Sequence, residues 1–389
     1  MTATCPLPER ALPAWRRAVL KVGSNLLAAD GGGLTTQYAR ALAAFIAASQ
    51  ASGREVVLVS SGAVAAGRAM MRERIAPDGG LAARQALAAL GQAPMIALWQ
   101  SLSERPVAQV LLTHDDLRNR RRYLNARATL RELLALGVLP VVNENDTVAV
   151  DELKLGDNDN LAAIVAALVD ADLLLIASDV DALYNADPRR NPDAEPIGHI
   201  PQLTPAVMAM ATGSSTSVGT GGMRTKLEAA TKAASAGIRT VLFGGRDAST
   251  VEALQQGRLR GTLIDVAGNR MQARKYWLRH APAGSGRIRV DAGAAKAIAG
   301  GRASLLPGGI LGAVGDFHRG DLVEIVDADD RPIARGLSQY AAAEVLRLAG
   351  RHSRDIETLL GYSYGAEIVH RDDLATVVDP EITEGEVKA

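Results

Sequence analysis

The sequence predicts an α/β fold: an αβα sandwich around a mostly parallel sheet, followed by a small β-rich domain. Three observations carry this reading. From residue 18 onward, short apolar runs alternate with helical stretches. The runs suit strands covered on both faces by helices, which is the setting of parallel sheets. After about residue 268 the rhythm stops, and shorter β-like pieces separated by glycines take over.

The elements follow in order. "AVLKVG" reads as a strand, "TTQYARALAAFIAASQ" as an amphipathic helix and "EVVLVS" as a second strand. Gln85 to Ser103 carries no charge, yet it holds three glutamines, two serines, a glycine and a proline. That composition suits a buried helix broken near Pro94 better than a membrane span. "VAQVLL", "GVLPVVN", "ADLLLIAS" and "IRTVLFG" are further strands, with helices such as "NARATLRELLALG" and "TKLEAATKAASAG" between them. "TVAVDELKLG" alternates differently and suggests a hairpin or edge excursion. In the second domain, "RIRVD", "DLVEIVD" and "PIARGLSQY" are β-like, and "AAEVLRLAG" is a short late helix. The expected division is an N-terminal extension over 1–16, an α/β domain over 17–267, a linker over 268–280, a β-rich domain over 281–375 and a polar tail over 376–389.

Composition narrows the function. The 389 residues suffice for two domains, and 48% hydrophobic content supplies their cores. Lys plus Arg and Asp plus Glu both number 43, so no overall field favours nucleic acid or an acidic membrane. The single cysteine, Cys5, neither staples a chain nor builds a cysteine zinc site, which suits a reducing compartment. The start, "MTATCPLPERALPAWRR", lacks the apolar core of a signal peptide, and a cytoplasmic location is expected.

In open parallel sheets, ligands bind beyond the carboxyl ends of the strands. Four such places stand out. In "LKVGSNLL", Lys21 is followed by Gly23 and Ser24, a turn that lets backbone amides approach an anion; a solvent-facing lysine is the plainer alternative. In "VLVSSGAVAAG", Ser61, Gly62 and Ala63 form a small-residue turn that suits a carboxylate, a phosphate or merely tight packing. "VVNENDT" and "GDNDNLAA" contribute Asn143, Asn145, Asp146, Asn158 and Asp159, more polar residues than helix capping needs. "VGTGGMRTKLEAA" sets Gly219, Thr220, Gly221 and Gly222 before a helix whose first turn carries Lys226.

Two phosphate signatures are lacking: there is no G-x-x-x-x-G-K-[ST] loop, and "HRDDL" at His370 has neither the downstream asparagine nor the D-F-G of a protein kinase. The six histidines have no metal-ligand spacing. Two lysines on distant loops, glycine-rich turns and several carboxamides point to phosphoryl transfer to a small polar acceptor.

The same motifs, in their order and spacing, resemble the amino-acid kinases, and within them the branch that phosphorylates free glutamate. "NENDTVAVDELKLGDNDNLAA" is the most specific element, and "SDVDALY" and "GTGGMRTKLEAA" match as well. The C-terminal part resembles a PUA domain through "SLLPGGILGAVGDFHRGDLVEI" and "ARGLSQY". The resemblance implies transfer of the ATP γ-phosphate to the side-chain carboxylate of L-glutamate at the start of proline synthesis. It implies that Lys21 and Lys226 grip the transferring phosphoryl group while Asp159 holds both ammonium groups in place. Ser61, Gly62, Ala63, Asp146 and Asn158 would bind glutamate, Asp146 taking its α-amino group. Lys21, Gly23, Ser24, Ser178, Asp179, Thr220, Gly221, Gly222, Met223, Arg224, Thr225 and Lys226 would bind the nucleotide. Mg²⁺ is implied on the ATP phosphates, as are feedback inhibition by proline and a homo-oligomer. Asp157 and Asn160 remain the two candidates to cap the helix after "GDND".

This chain departs from the pattern at Ser178, where threonine is usual, and at Ala182, where glycine is common. No role is assigned to the N-terminal extension. PUA-like domains often bind RNA, but residues 274–389 hold 15 Lys plus Arg against 17 Asp plus Glu, so RNA binding is not expected.

Overall fold

Strands and helices alternate as the apolar rhythm requires. The chain runs through β1 (Glu9–Ala11), β2 (Arg17–Val22), α1 (Ala39–Ala51), β3 (Glu55–Ser60), α2 (Ala63–Met70) and α3 (Leu81–Leu102). Then come β4 (Val107–Leu112), α4 (His114–Arg118), α5 (Arg120–Ala135), β5 (Leu139–Glu144), α6 (Asn158–Leu168) and β6 (Leu173–Ser178). The short strands β7 (Leu183–Tyr184), β8 (Pro196–Ile197) and β9 (His199–Ile200) precede α7 (Pro205–Met210) and α8 (Met223–Ser235). β10 (Arg239–Gly244), α9 (Ala248–Gln255) and β11 (Arg258–Ile264) complete this part. The computed structural model describes residues 7, 9–29, 32–71, 80–149, 158–188, 191, 193–211, 222–266, 286–301 and 303–377. The chain divides into two units, Met1–Ala267 and Gly268–Ala389.

The first unit is built on a nine-stranded sheet in the order β1-β11-β10-β6-β2-β3-β5-β4, with β9 beside β11. The pairs β10–β6, β6–β2, β2–β3, β3–β5 and β5–β4 are all parallel, so the carboxyl ends of these strands lie along one edge. β11 runs antiparallel to β10. Side-chain alternation sorts the strands onto two cores. Val19, Val57, Leu174, Ile176 and Leu242 share one core with Leu161 of α6 and Leu227 of α8. Leu20, Leu58, Leu175 and Phe243 share the other with Phe45 of α1, Met95 and Trp99 of α3, and Leu254 of α9. Both faces are covered, which is why these strands are apolar at consecutive positions.

α3 corrects the expected break at Pro94: the helix runs unbroken from Leu81 to Leu102. A proline inside a helix forfeits one backbone hydrogen bond and costs about 3 kcal/mol. Here Leu87, Gly91, Met95 and Trp99, spaced four apart, all lie on the buried face and offset that cost. Among the described residues no helix is long and apolar enough to cross a membrane.

α2 and α3 meet at two glycines. A Cβ on Gly91 would stand 1.7 Å from the Ala63 carbonyl oxygen, and one on Gly67 would stand 1.9 Å from that of Leu87. Gly91→Ala is therefore expected to destabilise the first unit by about 2–3 kcal/mol, the upper part of the overpacking range. Chemical denaturation checks this, and an unchanged midpoint would contradict the close approach.

The N-terminal segment also joins the sheet. Glu9, Arg10 and Ala11 pair antiparallel with Arg260, Leu259 and Arg258. The Glu9 carboxylate bridges Arg258 (2.7 Å) and Arg260 (2.9 Å), whose hydrogen bonds hold it below the usual carboxylate range.

The second unit carries a five-stranded sheet of β12 (Gly286–Val290), β13 (Ile310–Gly315), β14 (Leu322–Val326), β15 (Pro332–Leu337) and β16 (Leu374–Thr376), ordered β13-β12-β14-β15-β16. Ile288, Ile325, Phe317, Tyr340 and Val345 fill its core. The expected hairpin at "TVAVDELKLG" lies mostly outside the described residues.

Candidate active site

The carboxyl edge of the parallel strands gathers most of the polar residues singled out in the sequence. Lys21 is the penultimate residue of β2 and has the parity of Val19, so it projects toward the face covered by α6 and α8. Asp159 is the second residue of α6, and Lys226 lies in the first turn of α8. The Lys21 ammonium is 2.5 Å from Asp159 Oδ1, and the Lys226 ammonium is 3.1 Å from Asp159 Oδ2. The Thr225 hydroxyl also reaches Asp159 Oδ2, at 3.1 Å. Asp159 is fully buried, and the two lysines are 5% and 6% exposed. Two cations from elements more than two hundred residues apart thus share one carboxylate in a site of low dielectric. Gly222 is the N-cap residue of α8, in an extended conformation and without a side-chain cap.

A second group adjoins the first. The Asn158 amide nitrogen donates to Ser61 Oγ (2.7 Å) and Asn143 Oδ1 (2.9 Å), and it lies 3.4 Å from the Ser60 carbonyl oxygen. Gly62 caps α2 at φ +113, a conformation that favours glycine, and Ala63 opens that helix. Asp146 is half-buried in the turn that follows β5, where the amides of Val148 and Ala149 donate to the Asn145 carbonyl. Asn160 corrects one expectation. It stands within the first turn of α6 rather than before it, and its side-chain oxygen accepts from Lys232 Nζ at 2.8 Å, so it is no cap. Asp157 lies outside the described residues.

The third group follows β2, β6 and β10. Gly23 precedes a short 3₁₀ turn, Ser24–Leu26, and a Cβ on it would stand 3.6 Å from the Lys21 ammonium. Asn25 from this turn donates to Asp179 Oδ2 at 2.9 Å. Burial pushes the Asp179 carboxyl up, but the Asn25 amide, a backbone hydrogen bond and the charges of Arg246 and Lys226 outweigh it and hold the group below the usual carboxylate range. Asp181 goes the other way: burial and the Asp247 charge raise it against Arg246. The Ser178 hydroxyl donates to Asp179 Oδ1 (3.3 Å) and accepts from the Val180 amide (3.3 Å). Ala182 is not among the described non-glycine residues with positive φ, which are Asp170 and Asp330. Met223 is partly buried, whereas Arg224 is exposed and pairs with Glu228 at 2.9 Å. Thr220 and Gly221 lie outside the described residues.

Sequence reasoning passed over Asn25, Arg246 and Asp181 as site residues. "FGGRDAS" directly follows a strand, so the rule that found the other loops applies to it equally. Among the described residues no three His, Cys, Asp or Glu side chains converge as a metal-binding set. The arrangement can bind a multiply charged anion at the lysine pair and a small polar molecule beside Asn158 and Ser61.

The model of the Amino acid kinase family matches residues 16–244, and that of the PUA domain matches residues 286–360. The chain is 68% identical over 359 residues to glutamate 5-kinase of Xanthomonas oryzae pv. oryzae (strain KACC10331 / KXO85), covering 92% of this chain and 99% of the relative. It is 66% identical over 371 residues to glutamate 5-kinase of Xylella fastidiosa (strain M12), covering 94% and 97%.

Proposed function

The chain belongs to the amino acid kinase family, in its glutamate 5-kinase branch, and we propose how its residues carry out that branch's reaction. The γ-phosphoryl group of ATP passes to the side-chain carboxylate of L-glutamate, giving L-glutamyl 5-phosphate and ADP, the step that opens proline biosynthesis. A carboxylate oxygen of glutamate forms the new bond to phosphorus as the bond to the β,γ-bridging oxygen breaks, and the electron pair leaves on ADP. The acceptor is already ionised at neutral pH, so no proton has to move and no general base is required. What the reaction needs is positive charge on the phosphoryl oxygens and in-line placement of the two reactants.

The observation that carries this reading is the pair of buried ammonium groups fixed on Asp159. Lys21 and Lys226 act on the transferring group, and Asp159 sets their spacing without acting as a base. Ser178, Asp179, Gly23, Ser24 and residues 220–226 hold the nucleotide, with the first-turn amides of α8 on its phosphates. Ser61, Gly62, Ala63, Asn158 and Asp146 hold glutamate. The donor set fits Mg²⁺ carried by the nucleotide, because Asp159 is already committed to two ammonium groups. When carried in with ATP, Mg²⁺ would supply positive charge against the phosphates.

The reading is tested by measuring ADP release with L-glutamate, L-aspartate and N-acetyl-L-glutamate as acceptors. Strong preference for glutamate is expected; equal turnover of the N-acetyl compound would refute recognition of a free amino group. Asp146→Asn is expected to raise the KM for glutamate at least about tenfold, because a charge-assisted contact to the α-ammonium contributes roughly 1.5–3 kcal/mol. Its KM for ATP should stay as it is. An unchanged glutamate KM would remove Asp146 from amino-group recognition.

A further inference from the structure

We propose that Trp99 is a positioning residue for the acceptor site, acting through Ser60 on the Ser61–Gly62 peptide. This rests on the reading above that Ser61, Gly62 and Ala63 bind the acceptor. Ser60 ends β3 with the parity of Val56 and Leu58, so it faces the core that contains α3 rather than the side of α6. There the indole Nε1 of Trp99 donates to Ser60 Oγ at 2.8 Å, with Trp99 1% exposed and Ser60 fully buried.

An indole N–H can only donate, so the Ser60 oxygen is the acceptor in this bond. The single hydroxyl proton is thereby directed to the other partner, the Ser61 carbonyl oxygen at 3.1 Å. Fixing that carbonyl fixes its peptide plane. The described chain has no cis peptide bond, so the Gly62 N–H projects from the opposite edge of the same plane. The next residue is a glycine at φ +113, where the backbone has the freedom to rotate that plane. Trp99 and Ser60 thus latch a peptide that glycine alone would leave free. From the other side Asn158 reaches both Ser61 Oγ and the Ser60 carbonyl.

Trp99 also lines a cavity of about 130 Å³ with Ile46, Gln50, Leu102 and Leu139. Loss of indole packing there should register in thermal stability, whereas loss of the hydrogen bond should register in acceptor binding. The experiment compares wild type, Trp99→Phe, Ser60→Ala and the double variant for Tm, kcat and both KM values. Each single variant is expected to raise the glutamate KM roughly five- to twentyfold, the scale of a buried hydrogen bond, with the ATP KM within about twofold. The double variant should be no worse than the singles, because both break one latch. A Trp99→Phe enzyme with lowered Tm and unchanged glutamate KM would overturn the proposal, as would multiplying losses in the double variant. If Trp99→Phe does not fold, Ser60→Ala carries the same test with a smaller change in volume. Wild type without glutamate-dependent turnover would overturn the acceptor reading itself, independently of any variant.

Discussion

Lys226→Ala is expected to lower kcat by roughly 10²–10³, the scale for removing one preorganised contact to charge that develops in the transition state. The lysine is buried, its ammonium is held 3.1 Å from Asp159, and it lies in the first turn of α8. Its positive charge also helps hold Asp179 below the usual carboxylate range, which ties the lysine pair electrostatically to the loop after β6. The folded enzyme should survive the change, because Lys21 and Asp159 remain as a neutral pair. Steady-state kinetics at saturating ATP and glutamate checks the effect. A variant with the parent kcat would remove Lys226 from the mechanism.

Asp159→Asn should be more damaging than the loss of either lysine. The fully buried carboxylate neutralises two ammonium groups, and an amide in its place leaves two like charges facing each other. Removing one partner of a buried pair costs about 3–5 kcal/mol of stability, and the two ammonium groups lose the carboxylate that fixes their spacing. Two misplaced ammonium groups cannot offset the phosphoryl charge together, so kcat should fall by about 10³ or more. Chemical denaturation and kcat measured on the same preparation test both parts. A variant of parental stability, or one that keeps kcat within about tenfold, would contradict the role given to Asp159.

Much of the fold was legible because apolar runs buried on both faces leave a plain pattern, as in "LLLIAS" of β6, where every residue is buried. The unbroken α3 was not, since Pro94 is a local signal and the contacts of Leu87, Met95 and Trp99 that override it are tertiary. β1 was equally hidden. Glu9, Arg10 and Ala11 have no strand pattern of their own, and their pairing depends on arginines about 250 residues away, at 258 and 260. At the site, strand-end position and residue type pointed to Lys21, Asp159 and Lys226. The hydrogen bonds from Asn25 to Asp179, from Lys232 to Asn160 and from Trp99 to Ser60 were invisible, because the first depends on β2 lying beside β6 and the other two on which helix packs on which face. The polar residues at the start of α6 exceed what capping needs, and the geometry divides the described ones: Asn158 turns to Ser61, Asp159 to the lysines, and Asn160 to Lys232.

On the proposed mechanism, the buried lysine pair delivers a phosphoryl group to a carboxylate and so produces an acyl phosphate. Hydroxylamine converts acyl phosphates to hydroxamates, which makes the product directly countable. With ATP, Mg²⁺, L-glutamate and hydroxylamine, the enzyme should form γ-glutamyl hydroxamate and ADP in equal amounts, and Lys226→Ala should lose both together. ADP released without hydroxamate would contradict the claim, because the phosphoryl group would then have gone to water or to another acceptor.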